Sequence, residues 1–85
     1  MLTVYYRGMT RLPNVTRADV EAVVAAVGGA GVYPSEDLYA AYVRHAEAKG
    51  DPVASFIAWG QAVGRAGGQR KARTINGRKV RAWLV

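Results

Sequence analysis

The dipeptide Asn76-Gly77, near the C-terminus, is the feature that most limits what this chain can fold into. A two-residue hairpin turn needs positive φ angles at both central positions, and Asn followed by Gly adopts them more readily than most pairs. The segments 69–75 and 78–85 flank the dipeptide and supply the two strands. We therefore predict that the chain ends in a β-hairpin.

The second strand of the predicted hairpin alternates two kinds of side chain. Its apolar positions are Val80, Ala82 and Leu84, and the other positions are Lys79, Arg81 and Trp83. Because successive side chains of a strand point to opposite faces, the apolar set can pack on the rest of the protein. The other face is then expected to stay charged and in contact with solvent.

Three helices are predicted before the hairpin, each with a residue that can cap its start. Thr16 begins the first helix, and Asp19, three residues later, is its partner in a capping pair. Ser35 is the predicted N-cap of the second helix and Ser55 that of the third. Gly50 indicates where the second helix ends.

Two further local patterns bear on the fold. Val32 and Tyr33 are predicted to be extended, because Pro34 disfavours helix in the residue that precedes it. Tyr39 and Tyr42 lie on the apolar stripe of the second helix. We expect this pair to pack in the core rather than to stack on nucleic-acid bases.

The order helix, short strand, helix, helix, hairpin is that of a winged helix-turn-helix. This is an α+β fold in which a hairpin, the wing, follows three helices. Residues 16–85 are predicted to form that domain, since 85 residues suffice for one domain and not for two. Residues 1–15 are predicted to be a leader or a short strand, because Leu2, Val4 and Tyr6 alternate with other residues.

The net charge of +6 is unevenly distributed. Residues 1–51 hold five basic and six acidic side chains, whereas residues 52–85 hold seven basic side chains and no acidic one. Six of those seven lie on the predicted hairpin, where we expect one contiguous basic surface. Such a segment indicates a polyanionic partner, and we favour nucleic acid over a merely solvated basic surface.

Other classes of function are excluded or disfavoured. With no Cys and one His, the chain has no disulfide, no thiolate zinc site and no cysteine nucleophile. No apolar segment approaches the roughly 20 residues of a membrane span, and the N-terminus lacks the order of a secretory signal. We expect a cytoplasmic protein that is not an enzyme and has no membrane contact, metal, cofactor or small-molecule substrate.

Three features that resemble chemical sites have simpler explanations. His45 is expected to be a lone surface histidine on the second helix. Glu36 and Asp37 lie at the start of that helix, where the helix dipole favours anions without any catalytic role. The glycine-rich segment 28–31 follows a helix and lacks the lysine of a phosphate-binding loop.

Taken in order, the motifs resemble a known family. The residues that carry the likeness are Leu38, Tyr39, Tyr42, Gly50, Pro52, Ser55, Trp59, Gly60, Val63, Arg73, Gly77, Arg78, Val80, Arg81 and Trp83. The series resembles the small winged-helix module at the C-terminus of phage and plasmid primase–helicases, which also occurs in free-standing phage proteins. Trp59 and Val63 stand where the family has Phe and Leu. The resemblance covers residues 18–85.

What the resemblance implies is non-enzymatic binding of double-stranded DNA. The protein would be a phage or plasmid transcriptional regulator, or an architectural or recombination-control factor. The predicted contacts of the third helix with the major groove are Ser55, Gln61 and Arg65. Those of the hairpin, held mainly against phosphates, are Arg70, Lys71, Arg73, Asn76, Arg78, Lys79 and Arg81. With few polar residues on the helix, we expect modest specificity per monomer, which a homodimer or adjacent sites would increase.

Phe56 and Ile57 depart from the family, which often has polar or basic residues after the serine. Three interpretations stay open: contact with a thymine methyl group, an apolar dimer surface, and packing in the core. The same patch supports an alternative function. In that alternative, the domain is a protein-interaction module that binds a host or phage protein.

Overall fold

The computed structural model describes residues 13–85, and the short strand predicted before residue 13 lies outside that range. The elements follow one another in the predicted order: α1 (Arg17–Val27), β1 (Val32–Pro34), α2 (Ser35–Lys49), α3 (Phe56–Arg65), β2 (Gln69–Ile75) and β3 (Arg78–Leu84). Over these residues the protein is an α+β structure with three helices and a three-stranded antiparallel sheet. None of the helices in this range is long and apolar enough to cross a membrane.

Hydrogen bonds at the helix starts confirm two of the predicted caps. The Thr16 hydroxyl accepts a hydrogen bond from the Asp19 backbone N–H, and the Asp19 carboxylate accepts one from the Thr16 backbone N–H. Ser55 caps α3 in the predicted way, its hydroxyl accepting a backbone N–H of the first turn. The prediction for Ser35 is wrong. Because β1 leads directly into α2, Pro34 takes the N-cap position and Ser35 is the first helical residue.

The hairpin has the predicted turn, and a third strand extends its sheet. Asn76 and Gly77 have φ angles of 52° and 77°, the positive values that a type I′ turn requires. β3 is the central strand: β2 pairs along its full length, and β1 pairs with its C-terminal end, Val32 opposite Leu84. The extended segment at Val32 and Tyr33 is thus confirmed. The local sequence pattern did not predict that this segment pairs with β3.

The hydrophobic core lies where the helices meet the C-terminal end of β3. The most completely buried side chains are Val23, Leu38, Trp59 and Val63. Tyr42 stacks on Trp59 with ring centroids 4.5 Å apart, and its hydroxyl accepts the Ala54 backbone N–H. Tyr39 packs against the same cluster, and its hydroxyl donates to the Ala54 carbonyl oxygen. The prediction that the tyrosine pair packs in the core is confirmed.

The face of β3 that packs on the helices is not the predicted one. Trp83 is 4% exposed and lies in the core beside Gly60 of α3. Lys79 and Arg81 precede Trp83 at intervals of two residues, so they share its face of the strand. Ala82, on the other face, is also buried, since β3 has a neighbouring strand on each side there. The prediction is wrong because one indole buries more apolar area than the smaller residues opposite it.

A polar cluster joins α1 to α2. The Asp19 carboxylate oxygen Oδ1 lies 3.0 Å from both His45 Nε2 and Lys49 Nζ. His45 is thus a half-buried partner of Asp19, and the prediction of a lone surface histidine is wrong because α1 packs across this part of α2. Burial by itself raises the pKa of Asp19. The hydrogen bonds from Thr16, His45 and the Lys49 ammonium group lower this pKa by more than burial raises it. The pKa of Asp19 therefore lies well below its ordinary value.

Candidate nucleic-acid interface

The outward side of α3 carries the polar residues that were predicted to contact DNA. Ser55, Gln61 and Arg65 are all exposed. Ile57, Gln61 and Arg65 follow one another at intervals of four, so they form a stripe on one side of the helix, about 12 Å long. We call these residues the α3 stripe. The buried residues of the helix are Trp59, Gly60, Ala62 and Val63. The stripe is thus the side of α3 that can meet a partner.

Phe56 and Ile57 lie at the surface, and the interpretation that they pack in the core is wrong. Phe56 is 42% exposed and Ile57 is 73% exposed. The Phe56 ring meets the Tyr39 ring edge-on, with centroids 5.3 Å apart. Ile57 is one position further round the helix, and the core is filled by Trp59 and Val63 instead. Contact with a thymine methyl group and an apolar interface remain as interpretations.

The basic residues of the hairpin are all exposed, but they are divided between two faces. Residues directly opposite each other in antiparallel strands share a face. By this register, the face that Trp83 turns towards α3 carries Arg70, Lys79 and Arg81, which we call the α3-side set. The opposite face carries Lys71, Arg73 and Arg78, the far-side set. The prediction of one contiguous basic surface is therefore wrong, because the period of two along a strand separates sequence neighbours.

The α3-side set borders the α3 stripe. The Arg70 guanidinium carbon lies 4.9 Å from the centre of the Trp83 ring, the geometry of a cation–π contact. A cavity of about 210 Å³ opens between the hairpin and α3, and its lining includes Ile57, Gln61, Arg70 and Arg81. Two guanidinium groups, a carboxamide and an exposed isoleucine therefore border one space. This combination can hold an anionic group beside an apolar one.

Two carboxylates lie near the α3-side set, a proximity that the sequence does not predict. Glu36 and Asp37, in the first turn of α2, line a second cavity of about 360 Å³ together with Lys79 and Arg81. Among the described side chains, neither carboxylate reaches ion-pair distance from these cations. The pairing of β1 with β3 brings the start of α2 to this place. The negative charges of these two residues, from the first half of the chain, therefore offset part of the positive charge of the hairpin.

The far-side set lies on the face of the hairpin opposite Trp83, although near the turn Asn76 and Arg78 line a cavity of about 390 Å³ together with Lys79. Arg73 Nη1 is 3.5 Å from the Val32 carbonyl oxygen, a long hydrogen bond across the sheet. Lys71, Arg78 and the turn residue Asn76 are exposed. Of the predicted DNA contacts, the structure brings Gln61 together with two arginines of the α3-side set, and it places the far-side set on a different face.

The fold and the interface define a small α+β protein in which a basic hairpin lies beside an exposed helix stripe. Comparisons of the chain with family models, with curated proteins and with solved structures find no match. The function proposed for the protein therefore rests on its own residues and on the resemblance that their motifs carry.

Proposed function

We propose that this chain is a winged helix-turn-helix protein that binds double-stranded DNA and catalyses no reaction. In this assignment α2 and α3 form the helix-turn-helix, and β2 with β3 forms the wing. The observation that carries the proposal is the cavity in which Gln61 of α3 meets Arg70 and Arg81 of the hairpin. A helix that fits the major groove and cations that can hold phosphates lie side by side there, as duplex binding requires.

The proposed binding is mainly electrostatic. The α3 stripe enters the major groove, and the α3-side set lies along the flanking phosphates. Each phosphate that is neutralised releases condensed counterions, so the affinity falls steeply as the salt concentration rises. Arginine suits this role because its planar fork donates two parallel hydrogen bonds to a phosphate. Gln61 is the candidate for contact with a base edge, and Arg65 is the candidate for contact with a guanine or with a phosphate.

The proposed biological role follows from the family resemblance of the sequence. It is that of a phage or plasmid transcriptional regulator, or of an architectural or recombination-control factor, in the cytoplasm of a bacterial host. Duplex DNA is the proposed partner, without a cofactor or small-molecule substrate. We also propose a homodimer, because a single α3 stripe offers few polar groups and a second copy doubles them.

Two matched double variants test the proposed binding face. Lys79→Gln/Arg81→Gln removes one lysine and one arginine from the α3-side set. Lys71→Gln/Arg73→Gln removes the same charges from the far-side set, at positions one residue pair further from the turn. Binding of the full chain and of both variants to a fluorescent duplex of mixed sequence is measured by anisotropy, and circular dichroism checks that each protein is folded.

We expect the α3-side variant to bind on the order of tenfold more weakly than the far-side variant. In the proposed complex, only the charges that the α3-side variant removes lie against the phosphates. Equal affinities of the two variants would mean that the duplex does not lie against α3. If the unmodified chain does not bind the duplex even at low salt, the proposed function is wrong.

The exposure of Phe56 and Ile57 favours a second candidate function, a protein-interaction module. Its partner would cover this apolar patch at the start of α3. Sedimentation velocity of the chain and of Ile57→Ser tests the case in which the partner is a second copy. Three results together would support this function over the first. Ile57→Ser would abolish self-association, the two charge variants would retain it, and the chain would not bind duplex DNA.

A further inference from the structure

Ile57 combines high exposure with a position beside a hydrogen-bonding residue. It is 73% exposed, against 42% for Phe56 and 38% for Val53. On the α3 stripe it stands one turn before Gln61. An apolar side chain gains free energy when another apolar group covers it. The chemistry of the stripe therefore fits a partner that is apolar opposite Ile57 and polar opposite Gln61.

The charges around Ile57 favour nucleic acid as that partner. Arg70 and Arg81 line the same cavity as Ile57. An apolar protein surface would desolvate these guanidinium groups without pairing them, which is unfavourable. A duplex offers phosphates to the arginines, and its major groove exposes the C5 methyl group of every thymine. Charge and apolar character are then both matched by one ligand.

We propose that α3 recognises A·T base pairs, with Ile57 covering a thymine methyl group and Gln61 pairing with an adenine. The Gln61 carboxamide oxygen accepts a hydrogen bond from adenine N6, and its nitrogen donates one to N7. The four residues from Ile57 to Gln61 advance about 6 Å along the helix, whereas base pairs are spaced about 3.4 Å apart. The two contacts therefore fall on base pairs one or two steps apart. This inference rests on the proposed duplex binding and adds the class of base pair that is selected.

Uracil tests the contact of Ile57, since it pairs as thymine does but lacks the methyl group. The full chain, Ile57→Ala and Val53→Ala are titrated with an A·T-rich duplex and with the same duplex in which uracil replaces every thymine. Val53 is the control because it is an exposed apolar residue outside α3. We expect the full chain and Val53→Ala to prefer the thymine duplex by about fourfold, the effect of one buried methyl group. Ile57→Ala is expected to bind both duplexes equally.

Adenine analogues test the contact of Gln61 in the same way. Replacing adenine by 7-deazaadenine removes the N7 acceptor and leaves the pairing with thymine unchanged. The full chain is expected to bind the analogue duplex about tenfold more weakly, because one half of a bidentate contact is lost. Gln61→Ala is expected to bind both duplexes with the same affinity.

Each outcome separates this inference from the proposed function. If the full chain binds thymine and uracil duplexes equally, with its salt dependence intact, the inference is wrong and duplex binding stands. A preference for thymine that persists in Ile57→Ala also overturns it. Absence of binding to any duplex overturns both.

Discussion

Gly68, between α3 and β2, is a residue at which the packing leaves no room for a side chain. A Cβ atom there would lie 2.5 Å from Val63 Cγ1 and 2.9 Å from the Val63 carbonyl oxygen. The backbone oxygen cannot rotate away, so α3 and the start of β2 would have to separate. Gly68→Ala is therefore expected to lower the free energy of unfolding by about 1–3 kcal/mol. Urea denaturation measures this change.

Gly64→Ala is the matched control for Gly68→Ala. Gly64 lies within α3, and a Cβ atom there would meet nothing closer than Trp83 at 4.0 Å. Because alanine is a better helix former than glycine, this variant is expected to raise the free energy of unfolding by up to about 1 kcal/mol. A Gly68→Ala variant as stable as the unmodified chain would contradict the tight approach of Val63.

Asp19 links stability to pH. Its pKa is depressed in the folded state, so the ionised carboxylate stabilises the fold above the ordinary value of 3.8, and this contribution is lost as the pH falls towards the folded-state pKa. Asp19→Asn is expected to lower the free energy of unfolding at pH 7 by on the order of 1 kcal/mol. The difference from the unmodified chain should shrink below pH ~4, because the carboxyl of the unfolded chain binds a proton there while that of the folded protein stays ionised until lower pH. Urea denaturation across this pH range would contradict the account if the difference stayed constant.

At the scale of elements, most signals that act within a few residues predicted the structure correctly, with the Ser35 cap as an exception. The Asn76-Gly77 turn, the Thr16–Asp19 pair and the Ser55 cap each depend on hydrogen bonds or φ angles inside one turn, and all are confirmed. Such signals do not tell which elements meet, because contacts between distant segments leave no period in the sequence.

The candidate site shows the same limit. The pairing of β1 with β3, which places the start of α2 beside the hairpin, joins segments far apart in the sequence. The division of the hairpin cations is different, because the period of two was present in the sequence. Arg70 and Lys71 are neighbours and must point to opposite faces of any strand. That part of the site could have been predicted from the alternation.

The start of α2 is expected to weaken DNA binding through its charge. Glu36→Gln/Asp37→Asn removes two negative charges from the cavity that they share with Lys79 and Arg81. We expect this variant to bind duplex DNA on the order of threefold more tightly at low salt, because repulsion of the phosphates is relieved. Anisotropy titration measures the change. Glu21→Gln/Glu47→Gln changes the net charge equally at exposed positions outside this cavity, and an equal gain in affinity there would contradict the local effect.

At the scale of the whole molecule, the hairpin directs its positive charge to two sides. A duplex that lies against α3 meets the α3-side set and Arg65, whereas residues 52–85 hold seven basic side chains in total. Per bound monomer, the slope of log affinity against log salt concentration is about −3.6 for four phosphate contacts and about −6 for seven. Since counterion release counts contacts whatever the base sequence, the slope measures how many faces of the hairpin the duplex touches.

We expect a slope near the smaller of these two magnitudes. Lys79→Gln/Arg81→Gln should reduce its magnitude by about 1.8, and Lys71→Gln/Arg73→Gln should leave it unchanged. Binding by one face of the hairpin would be contradicted if the slope were near the larger magnitude and both double variants reduced it. The hairpin would then lie inside a groove, with phosphates on both of its faces, and α3 would no longer determine which cations the duplex meets.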